Sequence, residues 1–130
     1  MSHRYNKRRP EHDAHINSIA AELWRIAYPV YENLRPQGFC VEQRCGRASQ
    51  TRNEFTIPWW VMVEKFKAAG KPGYLIWYIA HELAHIAAPE NANHGPLFMA
   101  ELRKICPSEF QHYELGYKPR NAAKAGISNP

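Results

Sequence analysis

Cysteine is scarce in this chain. Its 130 residues hold only Cys40, Cys45 and Cys106, an odd set, and the four residues between the first two are not a usual zinc-ligand spacing. A disulfide-stapled scaffold and a cysteine zinc ribbon are therefore not expected; reduced thiols in a cytoplasmic protein are. Long apolar runs are missing too. None approaches the roughly 18–20 residues of a membrane-spanning helix, and the basic start carries no apolar stretch of the kind a secretory leader needs. No membrane partner is expected. Acidic residues are the third shortage: 12 Asp and Glu face 17 Lys and Arg, leaving a net charge of +5. The excess gathers at the ends, as Arg4, Lys7, Arg8 and Arg9 at one and Lys118, Arg120 and Lys124 at the other. Such ends read either as solvated tails or as weak, sequence-independent contacts with nucleic acid. No base-reading motif accompanies them.

What is present suffices for one domain. A content of 45% hydrophobic and 22% charged residues excludes wholesale disorder, and the length can bury a core without a structural metal. The expected division is a flexible basic segment over 1–10, one domain over 11–113, and a loosely ordered basic tail over 114–130.

Between Glu11 and Leu34, apolar residues at Ile16, Ile19, Ala20, Leu23, Ile26, Ala27, Val30 and Leu34 follow helical steps of three and four. Pro29 predicts a kink or an early stop. Residues 39–57 lose the helical period and predict two or three short strands forming a hairpin. Trp59–Ala69 reads as helical, and Gly70-Lys71-Pro72-Gly73 as a break. A helix over Tyr74–Ala88, a loop over Pro89–Asn93, and a helix from Pro96 to Ile105 follow, Pro96 suiting a first turn. Pro107–Tyr113 adds a further turn.

The chemistry sits in His81-Glu82-Leu83-Ala84-His85. On a helix, residues four apart share one face, so both imidazoles reach one metal ion. Glu82 is rotated by about 100° from His81; it flanks the metal and can act as general base toward a water there. Leu75, Ile76, Ile79, Leu83 and Ile86 form the opposite face and are expected to bury the helix. Tyr74 and Tyr78 fall on the histidine side and are expected to line the cleft. His94, nine residues past His85, supplies the third ligand, with Gly95 allowing a tight backbone at the return. Three histidines and one open position make the catalytic form of a zinc site. Glu101 is the competing third ligand, and Glu90 a weaker candidate.

The stretch from His81 to Ile105 resembles the SprT-like and related WLM metallopeptidase domains. There an H-E-x-x-H helix is followed by a loop, then His-Gly, two residues and an aromatic, matched here by His94, Gly95 and Phe98. The resemblance covers roughly residues 15–106, its specific part being His81 to Phe98. The loop between the second and third histidines is short for SprT itself, and the ribbon that often follows that domain has no counterpart. The resemblance implies a zincin-like α+β fold: a long N-terminal helix, a small antiparallel sheet, the H-E-x-x-H helix and a further helix. It also implies Zn2+ on His81, His85 and His94, a protein or peptide substrate, and a phage or bacterial type. Family members that cut DNA-bound proteins would give the basic ends a meaning, by analogy. His112, Tyr113 and Tyr117 are candidates for stabilising the oxyanion. The alternative is a protein- or DNA-binding module that keeps the metal helix for structure.

Overall fold

In the computed structural model, residues 9–62 and 71–117 are described, with side chains described for all of these but 115–117. The first helix, α1, runs Pro10–Ala27 and stops where expected, one residue before Tyr28-Pro29. Pro29–Leu34 continues as a 3-10 turn rather than as helix, because the proline ring removes a donor and crowds the preceding turn. Of the segment expected to be helical from Trp59, the described part is a 3-10 turn, Trp59–Met62; 63–69 lie outside the described residues. Among those described, no helix is long and apolar enough to cross a membrane.

Three short strands form one sheet: β1 (Gln37–Val41), β2 (Arg47–Ser49) and β3 (Glu54–Pro58). The β2–β3 hairpin matches the expectation, but the sheet is mixed rather than antiparallel. Its order is β1-β3-β2, with β1 parallel to β3 and β2 antiparallel to it. The reason lies in α1. Asp13 and Asn17, one turn apart, face β1: the Cys40 N–H donates to Asp13 Oδ1 at 2.8 Å, and Gly38 N–H to Asn17 Oδ1 at 2.8 Å. Asn17 Nδ2 donates back to the Gly38 carbonyl at 2.8 Å. Helix side chains thus satisfy backbone groups of β1 and cover an edge that would otherwise invite pairing. Close approach requires Gly38, since a Cβ there would lie 2.4 Å from Phe55 Cζ and 2.7 Å from Ile16 Cγ2.

The helix α2 (Tyr74–Ala87) lies at the centre. The expected division into one buried and one open face is only partly observed. Ile79 and Leu83 are buried and Leu75, Ile76 and Ile86 half-buried, but Tyr74, Trp77, Tyr78, His81 and Glu82 are buried as well. A helix buried nearly all round belongs to the interior, and partners on several sides hold the H-E-x-x-H residues. Helix α3 (Pro96–Ile105) begins with its proline in the first turn and packs along α2. A last short helix, α4, runs His112–Tyr117. The domain edge expected at residue 113 falls inside it, and Glu114 is only 2% exposed.

Two contacts tie this C-terminal segment to the start of α2. Tyr113 donates its hydroxyl to the Pro72 carbonyl at 2.9 Å, and the Phe110 ring presses on Gly73. That glycine has φ +74° and would bring a Cβ to 2.2 Å from Phe110 Cε1. Gly73→Ala combines a left-handed backbone with overpacking, so a loss of about 3 kcal/mol is expected. Urea unfolding followed by tryptophan fluorescence checks it; an unchanged midpoint would refute the packing argument.

Candidate metal centre

His81 and His85 project from consecutive turns of α2, and His94 comes from the loop before α3. One ligand atom from each lies within 4.8 Å of the other two. Nε2 of His85 and Nε2 of His94 are 3.0 Å apart, close to the ~3.3 Å between two ligands bound at ~2.0–2.1 Å in tetrahedral geometry. His81 is buried, while His85 and His94 are half-buried. The donor set therefore suits a small tetrahedral cation with a side left toward the cleft.

A local turn delivers His94. The Gly95 N–H donates to the Ala92 carbonyl at 2.9 Å, closing a four-residue turn whose second residue, Asn93, has φ +53° and ψ −123°. This is the type II′ geometry, with His94 in third place. The unusual backbone expected at Gly95 is thus two residues earlier, at Asn93: Gly95 has φ −80°, which any residue adopts. What restricts Gly95 is space, a Cβ there lying 3.2 Å from the Ala92 carbonyl oxygen.

Phe98, fully buried on α3, supports all three imidazoles. Its ring centroid lies 5.1, 4.6 and 5.0 Å from those of His81, His85 and His94. The competing ligands are elsewhere. Glu101 accepts a very short hydrogen bond from the Tyr28 hydroxyl and pairs with Lys104 at 3.4 Å; that bond ties α3 to the end of α1. Burial first, then Glu101, pushes the Tyr28 phenol upward. Glu90 lines the cleft but is not in the histidine cluster.

The cleft has a volume of about 490 Å³ and runs between residues 46–51 and the α2 face carrying His81, Glu82 and His85. Gly46 sits against the Glu82 carboxylate: a Cβ on it would lie 2.9 Å from Glu82 Oε2 and 2.5 Å from the Thr56 carbonyl oxygen. Tyr78 does not open onto the cleft as expected. Its hydroxyl accepts the Gly46 N–H at 2.9 Å, and Tyr74 belongs to an aromatic cluster with Trp60, Trp77 and Tyr113. At the other end of the cleft, Gln50 Nε2 donates to the carbonyls of His85 at 3.0 Å and Ile86 at 3.3 Å, and more closely to that of Ala88. The β2–β3 turn thereby caps the C-terminus of α2 and sets the cleft width.

Sequence reasoning missed Glu114. Its Oε1 lies 2.8 Å from His81 Nδ1 and accepts Trp77 Nε1–H at 3.1 Å. Burial by itself would raise this carboxyl, but the hydrogen bond and charge of His81, with smaller contributions from His94 and Trp77, hold it below the usual carboxylate range. Apart from its acidity, a glutamate near the end of the chain carries no local pattern that could have marked it.

Of the oxyanion candidates, Tyr113 commits its hydroxyl to Pro72, exposed His112 stacks on Tyr113 at 4.2 Å, and the Tyr117 side chain lies outside the described residues. Lys118, Arg120, Lys124, Arg4, Lys7 and Arg8 lie outside them as well; Arg9 is exposed. None of the three cysteines forms a disulfide; Cys40 and Cys106 are buried and Cys45 exposed. Burial, then the charges of Glu114 and Glu109, pushes the Cys106 thiol up to about 12, and Cys106 lies outside the histidine cluster.

Compared with models of protein families, with curated proteins and with solved structures, the chain finds no match in any of the three.

Proposed function

We infer that the chain is a zinc-dependent peptidase of the H-E-x-x-H type, with His81, His85 and His94 as metal ligands and Glu82 as general base. The observation that carries this reading is the convergence of three imidazoles beside a glutamate lining the same cleft. Bound zinc would supply Lewis acidity toward the scissile carbonyl and a lowered pKa for water. Glu82 takes the proton of the attacking water and returns it to the leaving amine. The Gly46 backbone, held by the Tyr78 hydroxyl, confines that carboxylate, and Gln50 holds the facing wall. Among the described residues β2 pairs with β3 on one side only, so its other edge along the cleft can take an extended peptide as an added strand.

The family resemblance around His81 to Phe98 belongs to the same proposal. So does action on DNA-associated proteins, which rests on the basic ends alone. A structural metal module accounts for the histidines but leaves a cleft-lining glutamate beside them without a use.

Metal analysis of the purified chain should give about one zinc per chain, lost on treatment with a chelator. Hydrolysis of unfolded casein should vanish with the metal and return with added zinc. A chain holding one zinc that cleaves neither casein nor a random peptide library would overturn the peptidase reading and favour the structural module.

A further inference from the structure

We propose that Glu114 is a positioning residue of the metal centre: it holds His81 in the tautomer whose Nδ1 is protonated, leaving the Nε2 lone pair for the ion. The proposal rests on the reading of His81, His85 and His94 as ligands.

A neutral imidazole has one N–H and one lone pair, and only the lone pair binds a metal. Which nitrogen carries the proton is set by the partner of the other. At His81 that partner is a carboxylate oxygen 2.8 Å from Nδ1. The same oxygen accepts from Trp77 Nε1, a donor that cannot reverse its role. An acceptor already fixed by one N–H requires a second donor from His81, because a lone pair there would face a lone pair. With Trp77 fully buried and Glu114 2% exposed, water has little access to relieve the wrong arrangement.

The position of Glu114 is determined at a distance. Phe110 against Gly73 and Tyr113 on Pro72 anchor the segment leading into α4 at the opposite end of α2 from His85. Glu114 is thereby held 33 residues from its partner in sequence. His81 on α2 is thus oriented by a side chain from α4. Such outer partners orient a ligand and raise its basicity, and losing one costs about 10- to 100-fold in metal affinity.

Two measurements on the full chain test this. In competition with a chromophoric chelator, Glu114→Gln, which keeps the side-chain volume, should bind Zn2+ and Co2+ about 10- to 100-fold more weakly than wild type. A merely structural role would lower the urea midpoint of the metal-free variant and leave the affinity of its folded fraction unchanged. Independently, long-range 1H–15N spectra of the zinc-loaded wild type should show His81 protonated at Nδ1 and metal-bound at Nε2. A proton on Nε2, or a folded Glu114→Gln with affinity within about threefold of wild type where tenfold or more is expected, overturns the role. Should the variant not fold, the wild-type spectrum decides alone. Failure of the wild type itself to bind either ion would remove the metal centre, and this role with it; a bound metal with the wrong tautomer removes only the role of Glu114.

Discussion

Glu82→Gln is expected to lower kcat/KM for peptide hydrolysis by about 10²- to 10⁴-fold, the contribution of a positioned general base, while zinc stays bound. The two effects separate because of where the side chain sits. Glu82 follows His81 on the helix and lines the cleft, but it is outside the three-histidine cluster. The substitution keeps the shape, exchanges one acceptor oxygen for an NH2 donor, and removes the charge and the ability to take a proton. Folding should also survive, since the amide preserves the close fit under Gly46. Hydrolysis rates for one peptide, paired with zinc content after dialysis, make the check. Turnover close to wild type would exclude Glu82 as the base, and loss of zinc would make it a ligand.

His94→Ala should lower zinc affinity by more than about 100-fold, the upper end of what loss of an outer partner costs, because one of three ligands goes. Glu101→Gln should leave the affinity unchanged. Its carboxylate bonds the Tyr28 hydroxyl and Lys104, so the expected cost is stability, about 1–3 kcal/mol from the weakened hydrogen bond. Chelator competition and urea unfolding on both variants distinguish the two. The opposite pattern, zinc lost in Glu101→Gln and kept in His94→Ala, would replace the three-histidine site by a two-histidine, one-glutamate site.

Both outcomes depend on parts of the molecule that differ in how they could be read. The helix carrying His81, Glu82 and His85 is legible because its signal is local: a spacing of four residues puts the imidazoles on one face whatever surrounds them. The stop of α1 before Pro29 is legible for the same reason, since the proline ring acts within one turn. His94 is legible as a candidate from its place after a short loop and before Pro96. Its delivery is not, because the left-handed backbone falls on Asn93, a residue that tolerates positive φ without announcing it.

Other features were hidden because they depend on contacts between residues far apart in the chain. The loss of a helical period says that 39–57 forms strands, but the partner and direction of each strand are decided by what covers its edge. Here Asp13 and Asn17 take up groups of β1, and β1 lies parallel to β3. Gln50 capping the end of α2, Gly46 pressed on Glu82, and Phe98 beneath the three rings likewise show no spacing in sequence. Glu114 is the extreme case, an acidic residue in a stretch that reads as tail, buried against His81 because Phe110 and Tyr113 dock on the start of α2. By itself, then, the sequence determined which histidines could share a metal ion, the helical spacing of two of them and the glutamate beside them, all set by interactions within a few residues. The tertiary structure alone decided the mixed sheet, the walls of the cleft and the carboxylate behind His81, since each exists only once distant segments are packed together.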